Sequence, residues 1–187
     1  VGLVALLLAP TGFASAQKPE SPPSQAAFRA FLTQFQEKSD REKDAAAFGA
    51  LEQARASALA QTLNERLAFS GWLLELKGIE PTPRGGYFVR FVDPDLSDSR
   101  RTRPTFWNGG PGRIGRETVI PPGSPLYEAL RTMKPGMRAF VSGHFYADAY
   151  GGPLFESSTV NLGANEAGKA KFRMPYFSVQ FTSITPE

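Results

Sequence analysis

The stretch SPLYEALRTMKPGMRAFVSGHF, running from Ser124 to Phe145, changes its periodicity once, and that change decides the fold. In its first half Ser124 is placed to cap a helix, Pro125 suits the first helical position, and Leu126 and Leu130 share a face. Lys134-Pro135-Gly136 ends the helix after about two turns, because proline cannot continue it and glycine accepts the backbone angles of a helix exit. From Met137 the apolar residues alternate, with Ala139, Val141, Gly143 and Phe145 on one face, the pattern of a strand with one buried side. Such a strand needs partners to close its sheet.

Upstream, Thr118-Val-Ile120 is expected to be a short third strand, preceded by an aperiodic excursion from Asp93 to Glu117 dense in Pro, Gly, Asp and Arg. Tyr87, Val89 and Phe91 face together in a second strand, and the turn-forming run Gly78 to Gly86 separates it from a first strand. In that first strand Leu67, Phe69 and Leu73 share a face, with Gly71 between them as a candidate bulge. Downstream, Gly151-Gly152 is a candidate turn into an additional strand over Leu154 to Val160, and the last strand spans Tyr176 to Ile184. Ahead of all these, Ser24 stands where an N-cap would, and Phe28, Phe31, Leu32 and Phe35 form one stripe of an amphipathic helix. A polar break at Ser39 to Asp44 leads into an alanine-rich stretch in which Phe48, Leu51, Ala58 and Leu59 line a face through about Leu63. Two helices, or one bent helix, are therefore expected from about Gln25 to Leu63.

The resulting class is α+β, with an N-terminal helical segment followed by a β-barrel of five or six strands and a short helix between strands 3 and 4. That order is close to the OB-fold, a five-stranded Greek-key barrel. The spacing Leu126-x-x-x-Leu130-x-x-x-Lys134-Pro-Gly136-x-x-Ala139-x-Val141-Ser-Gly143-x-Phe145 resembles the helix and fourth strand of OB-fold proteins, where a turn glycine precedes the strand and a second glycine lets the barrel bend. By this resemblance the chain is similar to the OB-like modules of small, mostly uncharacterised exported bacterial proteins. The long loop after strand two and the extra strand depart from that pattern. The expected organisation is a signal peptide over residues 1–16, a Pro/Ser linker and helical segment over 17–64, and the OB-like barrel over 65–187.

Export is read from the first residues, which run apolar from Val1 to Ala9, carry no charge through Ala16, and end in Ala14-Ser15-Ala16 before the polar Gln17-Lys18-Pro19-Glu20. About nine apolar residues cannot cross a hydrocarbon layer that needs roughly 20, so no membrane span is expected. The mature protein is expected in the periplasm or outside the cell. Lys and Arg total 21 against 18 Asp and Glu, a net charge of +3, so overall charge alone does not predict a polyanionic partner. With no Cys, neither a thiolate nucleophile nor a disulfide framework exists.

The string Gly110-Pro-Gly112-Arg-Ile-Gly115 matches a dinucleotide-binding fingerprint in letters only, because the flanking β-branched run and Pro121-Pro122 leave no room for the helix that would hold a pyrophosphate. The excursion around it carries Arg100, Arg101, Arg103, Arg113 and Arg116 about Phe106 and Trp107. Cations interleaved with flat rings are what single-stranded nucleic acid requires, and they suit acidic glycans too. Asp93, Asp95 and Asp98 lie just upstream, where pairing with those arginines would cancel much of the field. A second candidate loop, Asp148 to Lys171, carries Tyr150, Phe155, Lys169 and Lys171. His144 is the only histidine and is expected on the outer face, packed beside the N-terminal helices; no second histidine or G-x-S-x-G elbow accompanies it. No catalytic constellation, metal site or cofactor is expected. Two functions follow. The first is a non-catalytic module binding single-stranded nucleic acid or another anionic polymer through Arg100, Arg101, Arg103, Phe106, Trp107 and Arg113. The second is an interaction or scaffold protein that docks a protein partner through Phe28, Phe31 and Phe35.

Overall fold

The computed structural model of the chain describes residues 21–63, 67–96, 104–110, 116–146, 156–157 and 171–187. The expected leader over 1–16, Arg100, Arg101, Arg103, Arg113, Tyr150, Phe155 and Lys169 lie outside these residues.

The helical segment is two helices, α1 at Pro23–Arg41 and α2 at Ala45–Thr62. Pro23 occupies the first turn of α1, where its missing N–H costs nothing, and Pro22 rather than Ser24 is the N-cap. Ser24 sits one residue too far along to cap; its hydroxyl instead accepts a hydrogen bond from the Trp72 indole N–H at 3.1 Å. Asp44 closes the break between the helices by accepting from the Ala47 N–H at 2.8 Å.

Among the described residues six strands follow: β1 at Ala68–Pro81, β2 at Tyr87–Val92, β3 at Thr105–Trp107, β4 at Arg138–Phe145, β5 at Glu156–Ser157 and β6 at Tyr176–Pro186. A short helix, α3 at Pro125–Arg131, lies between β3 and β4, capped by Ser124 and opened by Pro125 as its sequence requires. The sheet order is β3-β2-β1-β4-β6, and a parallel β3–β6 pairing joins its two ends, so five strands close into an OB-like barrel. The short β5 adds to β6 through Glu156↔Phe177 and Ser157↔Tyr176.

Local chemistry accounts for two departures from the expected strands. At Gly71, where φ is +63°, the β1–β4 register slips between Phe69 and Trp72. The slip turns Trp72, Leu74 and Leu76 inward after Phe69 and moves Leu73 to the other side, so β1 continues to Pro81 and the turn shrinks to Thr82–Gly86. The third strand is Thr105–Trp107, inside the excursion expected to lack structure, and not Thr118–Ile120. The reason is Asn108, which is fully buried and extends β3 with its side chain. Its carboxamide accepts from Val89 N–H at 2.6 Å and donates to the carbonyls of Tyr87, at 3.1 Å, and Thr118, at 2.8 Å. With that edge of β2 occupied, Ile120 makes only an isolated bridge to Tyr87. At the far side of the barrel, β4 and β6 approach so closely that a Cβ on Gly143 would stand 2.5 Å from the Gln180 carbonyl oxygen, which excludes any larger residue.

The helices are not an appendage. Phe28, Phe31, Leu32, Phe35, Leu59 and Leu63 belong to one buried cluster with Phe69, Trp72, Val89, Phe106, Val141 and Phe177 of the barrel. Phe28 enters furthest, with ring centroids 4.9 Å from Trp72, 5.6 Å from Phe177, 5.8 Å from Phe145 and 6.0 Å from Phe106. Beside it, Gln25 behaves as a strand residue for the half of β1 that β2 does not reach. Its amide N–H donates to Leu73 O at 2.9 Å and its carbonyl accepts from Leu73 N–H at 2.9 Å. α2 packs at the end of the chain's last connection, where Phe48 meets Phe172 edge-on at 5.3 Å and Arg55 lies over the same ring at 5.0 Å. Among the described residues, no helix is long and apolar enough to cross a membrane.

Candidate functional site

Alternation along β2, β3 and β6 sends Val89, Phe91, Phe106, Phe177 and Val179 into the barrel, all fully buried. The residues out of phase with them share the outer face. These are Phe88 and Arg90 from β2, Thr105 and Trp107 from β3, and Tyr176 from β6, all half-buried. Cross-strand register makes them neighbours, since Arg90 is opposite Trp107 and Thr105 is opposite Tyr176. Trp107 stands edge-on to Tyr176 at 5.9 Å and tilted to Phe88 at 6.2 Å. Three aromatic side chains and a guanidinium thus form one continuous patch on a rigid sheet.

The arginine is held in place from two sides. Its guanidinium is bonded to the Tyr176 side chain, which, with the nearby Glu80 carboxylate, keeps it above its ordinary value and so charged at any physiological pH. Arg90 Nη2 pairs with Glu80 Oε1 at 2.6 Å. The indole of Trp107 depends on a neighbour with no side chain. A Cβ on Gly109 would fall 2.1 Å from its Cε2 and Cζ2 atoms, so any other residue there would displace the ring. Gly109 is fixed in turn by Ser178, whose hydroxyl donates to its carbonyl at 3.0 Å. Among the described residues, the Trp107 indole N–H and the Arg90 Nε–H are buried donors without an acceptor.

Of the residues expected to bind a ligand, Trp107 lies on this face. Phe106 does not: it is fully buried, stacked with Phe177 at 6.0 Å and 26°, because adjacent strand residues point to opposite sides. Arg100, Arg101 and Arg103 precede β3 in the sequence and Arg113 follows it, in segments outside the described residues; Arg116 is exposed. The expected pairing of aspartates with loop arginines is preempted at Asp93. That carboxylate is 1% exposed and is bound by Arg29 Nε at 2.6 Å and Gln25 Nε2 at 3.0 Å, while Arg29 also reaches Asp95 at 2.8 Å.

The aromatic stripe proposed for a protein partner is likewise elsewhere. Phe28, Phe31 and Phe35 are 0%, 8% and 6% exposed, spent on the chain's own core, so they present no docking surface while α1 is seated. His144 is exposed on the outer face of β4 between Ala68 and Gln180, not covered by the helices, and Lys171 is exposed. Among the described residues, no group of three or more His, Cys, Asp or Glu is arranged to hold a metal ion.

Phe88, Arg90 and Tyr176 belong to this candidate face, and the sequence pattern passed over them. Their signal was present as the off-phase positions of alternating strands, where ordinary sheets carry small polar residues and this one carries rings and a guanidinium. Comparison with protein-family models, with curated proteins and with solved structures returns no match, so the role of this face rests on its own chemistry.

Proposed function

We propose that the chain is an exported, non-catalytic binding module that holds single-stranded nucleic acid across the outer face of β2 and β3. The observation that carries this reading is the gathering of Phe88, Arg90, Trp107 and Tyr176 on one face of a closed barrel. In OB-type barrels this is the face that takes oligonucleotides and oligosaccharides. Rings on a rigid sheet stack bases in any sequence, each contact contributing about 1–3 kcal/mol. Arg100, Arg101, Arg103 and Arg113 flank β3 in the chain and add cations next to the same strand in sequence.

Fluorescence anisotropy with a labelled single-stranded oligonucleotide tests the reading. Affinity is expected to fall steeply with added salt, because bound phosphates release counterions. Trp107→Ala is expected to weaken binding about tenfold at all salt concentrations. Reversing Arg101 and Arg103 to glutamate is expected to weaken binding most at low salt and flatten the salt dependence. Unchanged low-salt binding in both variants would overturn the assignment. Salt-dependent binding of an acidic glycan alone, lost in Trp107→Ala, would move the ligand to that class.

Export is tested separately, by the N-terminal sequence of protein recovered from a periplasmic or culture fraction. It is expected to begin at Gln17, after Ala14-Ser15-Ala16. Recovery only in the cytoplasm with residues 1–16 retained would refute it.

A further inference from the structure

We infer that Glu80 makes the site selective for bases with an exocyclic amino group, cytosine foremost, over thymine and uracil; this rests on the single-strand reading above. Glu80 and Phe88 are direct partners across β1 and β2. Opposed residues on an antiparallel pair share a face with their side chains about 5 Å apart, so a base stacked on Phe88 turns its edge toward the carboxylate. Glu80 is half exposed, and one of its oxygens, Oε1, is fixed by Arg90 Nη2 at 2.6 Å. Arg90 in turn lies along β1 over Gly78, where a Cβ would be 3.5 Å from Nη2. The carboxylate is thereby oriented while Oε2 has no bond to any described residue.

An ionised carboxylate only accepts hydrogen bonds. The amino groups of cytosine and adenine donate to it, whereas thymine and uracil present a carbonyl oxygen at the corresponding edge position and are repelled. A phosphate beside Glu80 is repelled as well. The backbone of a bound strand is therefore driven away from Glu80, toward Trp107 and Tyr176, leaving a base edge next to the carboxylate. A carboxylate at the β1 border of an aromatic patch weakens attraction for polyanions in general, and selection among bases is the role its position supports.

The experiment compares short fluorescent oligodeoxycytidine and oligothymidine on the full chain and on the Glu80→Ala variant, a substitution at an exposed position. The full chain is expected to bind oligodeoxycytidine about tenfold more tightly. In Glu80→Ala the ratio is expected to fall to about one, while binding of both probes tightens because Arg90 is released to a phosphate. Equal affinities in the full chain, with both still weakened by Trp107→Ala, would overturn the selectivity and leave the binding reading standing. A preference that survives Glu80→Ala would overturn the role of this residue. Binding of neither probe at low salt would overturn both.

Discussion

Phe28→Ala is expected to destabilise the whole protein by about 3–5 kcal/mol, the range for deleting a fully buried aromatic ring from a core that cannot collapse around the gap. Phe28 has no exposed surface, and its ring meets Trp72, Phe106, Phe145 and Phe177, which come from four different strands. None of these can move to fill the space without breaking its own pairing in the barrel. Tilted and edge-on ring contacts are lost in addition to buried area. Urea unfolding followed by both far-ultraviolet circular dichroism and tryptophan fluorescence should give one transition at a much lower midpoint, with helix and barrel lost together. If helical signal melts early while the indole signal of Trp72 keeps its wild-type midpoint, the helices and barrel do not share a core.

Asp93→Ala should be the second most damaging change, costing about 3 kcal/mol, since removing one partner of a buried ion pair leaves the other charge stranded. Asp93 is 1% exposed and Arg29 only 15%, so water cannot replace the lost carboxylate. Gln25, which also donates to Asp93, would lose that acceptor while still holding Leu73. Asp95, at 2.8 Å from Arg29 Nη1, retains part of the attraction and keeps the loss below the upper end of the usual range. Replacing both partners at once, as Arg29→Leu with Asp93→Leu, should recover most of the stability, because a packed apolar pair carries no desolvation cost. Equal destabilisation in the single and double variants would show that α1 is held by packing alone.

The sequence carried the barrel well where periodicity and turn chemistry agreed. Ser124, Pro125 and Gly136 bounded α3, and the alternation of Ala139, Val141, Gly143 and Phe145 gave β4 its inward face. It misled where a single residue changed the count. Gly71 shifts β1 by its bulge, so Trp72 and not Leu73 follows Phe69 into the core. Asn108 was invisible as a structural element because an asparagine among glycines and prolines looks like loop; only its four backbone partners reveal that it completes β3 and denies Thr118–Ile120 a strand. Trp107 was legible as a candidate because rings beside arginines have few ordinary uses in a loop. Phe106 was inseparable from it until the strand was known, since the side that each faces depends on a three-residue pairing set by β2 and β6.

The seat for Phe28 also constrains how the chain can be made. The helix that carries it is synthesised before every strand of the barrel, yet its resting place is assembled from β1, β3, β4 and β6, the last of which ends the order of the described strands. No nascent fragment that ends before β6 contains the complete seat. An aromatic helix must therefore wait, unsheltered, until β6 has been synthesised, and its seat is completed by a long-range contact, Phe28 with Phe177.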